Sequence, residues 1–455
     1  MYVEDTIAAI ATPVGCGGVG IIRVSGSGAS NIAERVFLKQ GNGGLDSHRF
    51  CYGRIVDPVD GALIDEGMAV LMLAPRSYTR EDVLELHCHG GYLLVQRVLD
   101  ACLRAGARLS DAGEFTRRAF LNGRIDLCQA ESIIDLINSR TEMSLAFAQS
   151  QREGALSVRL GTIAGALKNA LALIEAFIDF PEEDLDAAVQ GQIEALVTGG
   201  RGDLVALLNS FEYGKVIRDG ISVLLAGKPN VGKSSLLNAL TLEQRAIVSH
   251  IPGTTRDVIE EIISIDGLPV RIIDSAGIRH SHDAIEQEGI RRSLEKLVLA
   301  DLVLFMVDGS RPMDSQDRDL LSALSGKRFI TVINKSDLPL VLEQKELPDG
   351  VQAVHISSND GSGVNQLRSA IFNSFVGEQV TSQDLVALST VRHRDIVVRA
   401  IECLDGFSCQ VEAGASGELL AIDLRDSLAA IGEITGETTP DAILDIIFSS
   451  FCIGK

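Results

Sequence analysis

The chain lacks the features by which secreted, disulfide-bonded and membrane-spanning proteins are usually recognised. Its 8 cysteines are scattered and form no Cys-x-x-Cys pair, so we expect reduced thiols. Residues 1–5 are acidic and begin no signal-peptide apolar core. No uncharged apolar run reaches the roughly 18 residues that a membrane span needs. We therefore expect a soluble, cytoplasmic protein without membrane contact.

Basic residues are also few in comparison with acidic ones. The chain has 41 Lys and Arg against 62 Asp and Glu, which gives a formal net charge of −21. A protein that coats nucleic acid by charge needs a basic face, so the composition argues against that class. Any contact with RNA must therefore be local, or shared with a partner. At 455 residues, the chain is long enough for about three domains.

The most informative stretch is 227–234, which reads Gly-Lys-Pro-Asn-Val-Gly-Lys-Ser. It follows the apolar run 221–226 and precedes the amphipathic segment 235–240, and a strand, a Gly-rich turn and a helix in that order are typical of a phosphate site. Loop N–H groups and the helix N-terminus would face the phosphates, Lys233 would reach the terminal ones, and Ser234 can bind Mg²⁺. The alternative is a Gly-rich loop that matches this pattern but binds no phosphate.

Three further motifs argue against that alternative. Asn-Lys-Ser-Asp at 334–337 follows a strand-like run at 328–333, and its Asp can accept two hydrogen bonds from guanine that adenine cannot donate. Asp-Ser-Ala-Gly at 274–277 can support Mg²⁺ through water and offer an N–H to the γ-phosphate. A Thr of the loop 253–257 can close on the metal. Together the motifs predict a GTPase.

Two details concern the hydrolysis step. Ile278 follows the second motif where Ras-type GTPases have the Gln that orients the attacking water, so another residue or a partner must do this. Glu286, in the acidic segment 283–288, is our candidate, directly or through a second water; a solvated acidic turn is the alternative. No arginine occupies an obvious finger position, and Asn230 could give an amide oxygen to a monovalent cation instead.

Patterns along the rest of the chain predict its domains. Residues 1–119 alternate strand-like runs with helical spacing, and helical segments recur after about 120, including 384–404 and 417–431. We expect the helical blocks on either side of the GTPase motifs to pack together, because short helices cannot bury their faces alone. The predicted segments are an α+β domain at 1–119, a first helical block at 120–216, an inserted G domain at 217–379 and a second helical block at 380–455.

A polar stretch in the first domain and the C-terminal stretch carry further candidates. Residues 77–82 are dense in polar groups and precede a predicted strand on which His87 and His89 share one face. Nothing nearby completes a metal site, so a structural pair is favoured over a ligand pair. The apolar stretch 448–455 is a poor fit to a prenylation box. We interpret it as a docked tail that delivers a thiol and an ammonium into a site, with an unstructured tail as the alternative.

Several short motifs together resemble one bacterial family. The chain looks like the tRNA modification GTPases called MnmE or TrmE over essentially its whole length. The motifs that carry this resemblance are Ala-Thr-Pro at 11–13, Gly-Gly-Val-Gly at 17–20, the stretches 120–124 and 432–437, and Cys-Ile-Gly-Lys at 452–455. The resemblance implies a multidomain α/β plus α fold: a tetrahydrofolate-binding-like domain that dimerises, a discontinuous helical domain and an inserted Ras-like P-loop G domain. It also implies a heterotetramer with the FAD protein MnmG that adds an aminomethyl or carboxymethylaminomethyl group to carbon 5 of the wobble uridine in certain tRNAs.

The resemblance also assigns ligands to residues. A tetrahydrofolate derivative such as 5-formyltetrahydrofolate would contact Arg23, Glu81, Arg124 and Lys455, with Arg124 standing where a Lys is usual. K⁺, which replaces an arginine finger when two G domains meet, would be bound by Asn230, Ser249, Ile251 and Thr254, and Mg²⁺ by Ser234 and Thr255. Glu286 matches the family's water-orienting Glu, and Cys452 a thiol thought to be catalytic; Lys233 completes the predicted catalytic set.

The predicted site for GTP and GDP combines the motifs with these positions. Its last loop, Ser-Ser-Asn at 357–359, departs from the usual Ser-Ala-Lys, although backbone N–H contacts to the base could survive. The predicted residues are Asn230, Val231, Gly232, Lys233, Ser234, Ser235, Ser249, Ile251, Thr254, Thr255, Asp274, Ser275, Ala276, Gly277, Asn334, Lys335, Asp337, Ser357, Ser358 and Asn359.

Three other functions compete with this interpretation. A ribosome-assembly GTPase of the Era or Der type shares the Thr-Thr-Arg-Asp loop, but would need an RNA-binding appendage or a second G domain, and neither is visible. A folate enzyme with a regulatory G domain predicts one-carbon turnover without tRNA. A pure switch protein predicts slow intrinsic hydrolysis and tight nucleotide binding.

Overall fold

The protein is described from a computed structural model that covers residues 5–13, 15–41, 43–179, 187–242, 261–274, 297, 300–343, 346–347, 352–376 and 386–455. It divides into two compact units, Met1–Ile134 with Ala429–Lys455, and Asp135–Leu428. The fold is multidomain, with an α+β region, helical regions and a P-loop G domain, as predicted. The division into two units is coarser than the four predicted segments, whose boundaries stay a prediction.

The first unit is built on a mixed sheet with strand order β3-β4-β5-β6-β2-β1-β7. Its neighbours pair antiparallel except β1 and β7, which are parallel. The strands are β1 (Ile7–Ile10), β2 (Gly17–Ser25), β3 (Phe37–Lys39), β4 (Cys51–Val56), β5 (Leu63–Met72), β6 (Val83–Gly90) and β7 (Arg108–Leu109). The helices that begin in this region are α1 (Ala29–Val36), α2 (Tyr92–Arg104), α3 (Glu114–Leu121) and α4 (Leu127–Asn138).

Strand alternation decides which side chains of this sheet reach solvent. Ile22 and Val24 of β2 are fully buried in the core that the sheet forms with α1 and α2. Because successive side chains point to opposite faces, Arg23 lies on the other face, opposite Glu85 of β6 in the strand register. The face opposite α1 and α2 therefore carries this ion pair, and α3 packs against another part of the same face.

The C-terminal segment of the first unit completes its core. Helix α14 (Asp441–Ser449) follows α13 (Gly417–Thr435), and its Leu444 and Phe448 pack with Leu127 and Ala130 of α4. After the helix, Ile453 forms a bridge with Ala112 and the chain passes close to the carbonyl of Ile10. The terminal residues are thus docked, as the sequence predicts.

The second unit contains a helical region. Its helices are α5 (Glu142–Arg152), α6 (Ala155–Asp179), α7 (Ala187–Asn209), α8 (Phe211–Asp219) and α12 (Val391–Glu412). Gly200 of α7 lies against Leu167 and Ile163 of α6, where a Cβ would be only 3.1 Å from the Leu167 side chain, so a glycine allows close helix packing. The predicted helical start at 384 is wrong for the described residues, since 386–390 are not helical and Thr390 caps α12 by accepting a hydrogen bond from the His393 N–H.

Among the described helices, α6 alone is long and apolar enough to cross a membrane. It has 25 residues and a mean hydropathy of 1.4 in its most apolar window. One such helix is weak evidence for a membrane span, since core helices of soluble proteins pass the same test. Leu160, Leu167 and Ile174 of α6 are buried within the unit, in keeping with a packing role.

The second unit also contains a sheet of order β13-β12-β11-β8-β10-β9, in which only β9 runs antiparallel to its neighbour. Its strands are β8 (Ile221–Ala226), β9 (Glu261–Ile265), β10 (Leu268–Asp274), β11 (Leu302–Asp308), β12 (Phe329–Asn334) and β13 (Ala353–His355); its helices are α9 (Lys233–Leu242), α10 (Ser315–Ala323) and α11 (Val364–Val376). All seven residues of β11 are buried, as expected of a central parallel strand. The carboxyl ends of β8, β10, β11 and β12 meet at one edge, where open α/β sheets bind ligands.

Candidate active site

The loop 227–232 leaves β8 at this edge, and two of its glycines have no room for a side chain. Gly227 has φ +153°, and an added Cβ would collide with the carbonyl of Met306 on β11. Gly232 has φ +101°, and its Cβ would collide with the side-chain amide of Asn334. The loop backbone is therefore pressed against both neighbouring elements, and its N–H groups are free of side chains that would block a phosphate.

Lys233 begins α9 and folds back over this loop. Its Nζ donates hydrogen bonds to the carbonyls of Gly227 and Lys228, at 2.6 and 2.8 Å. Ser234 and Ser235 are exposed in the first turn of the helix, and Asn230 is exposed in the left-handed region with φ +64°. The cradle thus has the amine, the helix N-terminus and the hydroxyls that a phosphate with its metal ion requires.

Asn334 ties the phosphate loop to the two loops predicted to hold the base. Its side chain is 2% exposed. The Nδ2 donates to the carbonyl of Val231 at 2.7 Å, and the Oδ1 accepts from the N–H and the hydroxyl of Ser358, each at 3.0 Å. One buried amide therefore fixes three loops, and the exposed Asp337 lies on the same loop for the base.

The carboxylate of Asp308, at the end of β11, holds Lys335, which follows Asn334 in the Asn-Lys-Ser-Asp motif. Asp308 accepts hydrogen bonds from the Nζ of Lys335 at 2.7 Å and from the N–H and hydroxyl of Ser310. Burial raises the pKa of Asp308, while Lys335 and Ser310 lower it more, to about 2. Asp308 is therefore ionised at neutral pH and fixes Lys335 within the base loop.

The phosphate loop is also joined to α10 by an ion pair. The Nζ of Lys228 lies 2.6 Å from a carboxylate oxygen of Asp314 and 2.6 Å from one of Asp317. These two residues form the capping box of α10, and Asp317 is only 4% exposed. Burial lowers the pKa of Lys228, but the two carboxylates raise it more, so its pKa lies above the ordinary value. Lys228 therefore stays charged and anchors the loop from outside the phosphate cradle.

Several residues of the predicted site lie outside the described residues. Asp274 ends β10 at the same sheet edge, which places its backbone near the cradle. The predicted residues that lie outside are Ser249, Ile251, Thr254, Thr255, Ser275, Ala276, Gly277 and Glu286. The described residues therefore hold the phosphate loop and the base loops of the predicted nucleotide site.

Two of the predicted folate residues meet at one aromatic ring in the first unit. The guanidinium carbons of Arg23 and Arg124 lie 5.3 and 4.8 Å from the ring centroid of Tyr78. Arg23 also donates from Nε to Glu85 at 2.8 Å, and the hydroxyl of Tyr78 lies 2.9 Å from that of Thr116. Two cations at one ring suit an anionic ligand that has a planar group.

The structure places the other predicted residues of this region differently. The Glu81 carboxylate accepts from the hydroxyl of Ser25 and contacts Arg118, so it is turned into a buried network. Lys455 donates its N–H to the carbonyl of Cys452, which also accepts from the N–H of Gly113. Cys452 itself is exposed. The tail therefore presents its thiol to solvent while its backbone is held by the body of the unit.

Some residues that shape these sites were missed in the sequence. Tyr78 was noted only as a member of a polar stretch, and the roles of Asp308 and Lys228 have no motif of their own. Asp308 could have been suspected, because it ends a buried apolar strand at the ligand edge.

The two histidines of β6 each lie beside a carboxylate. His89 pairs with Asp65 at 3.0 Å and His87 lies 3.6 Å from Glu85.

Comparisons with known proteins agree on one family. The family model described as GTP-binding protein TrmE N-terminus matches residues 6–124, and the MnmE helical domain model matches residues 127–452. The tRNA modification GTPases MnmE of Geobacter sulfurreducens and Geobacter metallireducens are 56% and 57% identical to this chain, each over 100% of both proteins. A ribosome-assembly GTPase of the Era or Der type is therefore not favoured.

Solved structures add a local likeness. The G domain of the T. maritima FeoB iron transporter is 30% identical over 34% of this chain and 97% of its own, with a TM-score of 0.25. This score is too low to support any conclusion about function.

Proposed function

Because this chain belongs to the MnmE family of tRNA modification GTPases, we propose that it is a K⁺-stimulated GTP hydrolase that acts with a FAD-dependent partner of the MnmG type. Together they would add an aminomethyl or carboxymethylaminomethyl group to carbon 5 of the wobble uridine in certain tRNAs. We further propose a cytoplasmic homodimer that assembles with this partner into a heterotetramer.

The observation that carries the GTPase assignment is the buried amide of Asn334 between three loops. It sets the distance between the phosphate cradle and the loop of Asp337, because it bonds Val231 on one side and Ser358 on the other. A guanine held by Asp337 would thus have its phosphates over the glycine loop, within reach of Lys233. Adenine would leave the Asp337 carboxylate without its two donors, which explains the preference for GTP.

The hydrolysis step depends on residues around this cradle. Mg²⁺ and K⁺, when bound, offset the negative charge that develops on the transferring phosphoryl group. Ser234 and Thr255 would hold the first ion, and Asn230, Ser249, Ile251 and Thr254 the second. Asn230 is suited to this because it is exposed beside the cradle and its backbone is fixed in a turn. Glu286 would orient the attacking water.

The modification step belongs to the first unit in this proposal. Arg23 and Arg124, with Glu81 and Lys455, would bind a tetrahydrofolate derivative as the one-carbon source. The guanidiniums of Arg23 and Arg124 both lie against the ring of Tyr78, so this ring would fix their positions. Cys452, exposed on a docked backbone, is the candidate for a thiol that takes part in the reaction.

Hydrolysis by the purified protein in K⁺ and in Na⁺ buffer of equal ionic strength tests the proposed GTPase mechanism. We expect a large preference for K⁺, and pairing of G domains with GDP and aluminium fluoride only in K⁺. Equal rates in both salts would refute the cation site at Asn230 and would require an arginine from another protein. Asn230→Ala, which removes the proposed amide ligand, should lower the rate in K⁺ to the rate of the parent protein in Na⁺.

Nucleoside analysis of tRNA tests the proposed modification. The full chain, the flavoprotein partner, GTP, and a folate donor should yield a modified wobble uridine. One-carbon turnover without any change in tRNA would support a folate enzyme with a regulatory G domain and overturn this proposal. Slow hydrolysis with tight GTP binding in the complete mixture would instead indicate a pure switch protein.

A further inference from the structure

A cleft in the first unit is lined by arginines whose positive charge no acidic lining residue offsets. It has a volume of about 490 Å³ and is lined by residues of the loop 72–80 and by Arg124. Arg76, Arg80 and Arg124 all line it, and none of its lining residues is acidic. We call it the arginine cleft. Such a local excess of positive charge is notable in a chain whose net charge is −21.

The guanidiniums of this cleft are held by carbonyl groups. Arg80 donates from Nη1 to the carbonyl of Asn122 at 2.9 Å, and Arg124 donates from Nη1 to the carbonyl of Tyr78 at 2.7 Å. In the portion of the chain that the structure describes, no carboxylate lies within ion-pair distance of these side chains or of Arg76. A neutral carbonyl fixes an arginine without cancelling its charge, so the cleft keeps its positive charge.

Several other arginines of the same unit are neutralised. Arg104 pairs with Asp57 at 2.7 Å, and Arg108 pairs with both Asp5 and Glu114 at 2.6 and 2.7 Å. The paired arginines show that carboxylates are available in this acidic unit. The three arginines of the cleft are thus grouped at one place without the carboxylates that neutralise these others.

The carboxylates of the acidic residues next to the cleft are engaged by other groups. Glu81 follows Arg80 directly, but its carboxylate contacts Ser25 and Arg118. The carboxylate of Asp82 accepts from the N–H of Ala74 at 2.9 Å. Arg80 is exposed, whereas Thr79 beside it is fully buried. This loop is also fixed, because the amide of Asn122 donates to the Thr79 carbonyl at 2.7 Å.

We propose that the arginine cleft binds phosphate groups of an RNA backbone. The inference rests on the proposed function, in which tRNA is the substrate, and it adds the surface that meets the RNA. Arg76, Arg80 and Arg124 are exposed, so their planar donors can reach a phosphodiester from solvent. The net charge of the chain repels RNA, so a local positive surface is what lets such a substrate approach.

The test is the salt dependence of tRNA binding by the full chain. Labelled, unmodified tRNA would be titrated at several salt concentrations with the parent, with Arg76→Gln, and with Arg76→Gln combined with Arg80→Gln. Arg49→Gln is the matched control, because Arg49 is an exposed arginine of the same unit outside the cleft, 3.6 Å from Asp46. Arg124 stays unchanged because it is also assigned to the folate site.

Each lost phosphate contact should lower the slope of log affinity against log salt by about 0.7 to 0.9. Between about 50 and about 200 mM salt, the parent should therefore lose about ninefold more affinity than the double variant. Arg49→Gln should match the parent. GTP hydrolysis, measured without tRNA, should be the same in all four proteins, which verifies that each is folded.

Three results would overturn the assignment. Parent and double variant with the same slope would mean that tRNA binds elsewhere on the chain. A variant that still binds tRNA but no longer binds a folate with a polyglutamate tail would mean that these arginines bind the carboxylates of that tail. A parent that binds no tRNA at any salt, yet supports wobble modification together with its partner, would remove the cleft as an RNA surface while the proposed function stands.

Discussion

Replacing Asp308 by Asn should destabilise the G domain by an amount that the structure allows us to estimate. The Asp308 carboxylate is 6% exposed and accepts hydrogen bonds from Lys335 and from Ser310. Its pKa falls from an ordinary 3.8 to about 2, which corresponds to about 2.4 kcal/mol of free energy of unfolding at pH 7. Asn at this position keeps an acceptor but loses the charge, so we expect a loss of about 2 kcal/mol.

The pH dependence of this contribution has a definite sign. Because the pKa in the folded protein is lower than in the unfolded chain, the carboxylate stabilises the fold above pH 3.8 and its effect is lost as the pH falls towards 2. At pH 3 the contribution of Asp308 should therefore be about 1.3 kcal/mol. The difference between parent and Asp308→Asn should shrink accordingly between pH 7 and pH 3.

Hydrogen exchange at increasing urea concentrations, followed on peptides from β11 and β12, measures this local stability in the full chain. Asp319→Asn is the control, because Asp319 is an exposed residue of α10, and its effect should stay within about 0.5 kcal/mol. A loss below about 0.5 kcal/mol in Asp308→Asn at pH 7 would refute the reasoning. So would a loss that is unchanged at pH 3.

Other outcomes can be tested separately. Gly232→Ala should weaken GTP binding at least tenfold by fluorescent-nucleotide titration, because its Cβ has no room, whereas Gly191→Ala, in open space on α7, should bind normally. Burial raises the pKa of Cys88 to about 11 and that of Cys102 to about 12, so a thiol reagent at pH 8 should label the exposed Cys452 and spare both until the protein is unfolded. Removal of the four C-terminal residues should spare GTP hydrolysis and abolish wobble modification; an equal fall in hydrolysis would assign the tail to the G domain instead.

The local patterns in the sequence identified the protein as a P-loop GTPase, because each of the motifs is contiguous. The glycine loop, Asn334 and the strands that precede them are each read from a short run of residues. The contacts that support them join distant positions, such as Lys228 with Asp317 and Asp308 with Lys335. Nothing in the spacing shows which carboxylate meets which amine, so these anchors required the folded chain.

Two further differences have similar physical causes. The start of α12 is set by the cap at Thr390, whereas helical spacing alone continued the helix backwards to 384. The grouping of 429–455 with the first 134 residues depends on Phe448 and Leu444 packing against Leu127. Apolar spacing identifies which face of a helix is buried, but it does not identify the partner of that face.

The same packing has a consequence for how the protein is made. Leu127 is synthesised about three hundred residues before Phe448, which at about 5–20 residues per second is an interval of about 15–60 seconds. During that time the first unit lacks the segment that covers the apolar surface around Leu127, while the second unit is translated in one continuous run. We therefore expect the growing chain to need protection of that surface on the ribosome, and the first unit to mature only after the second has folded.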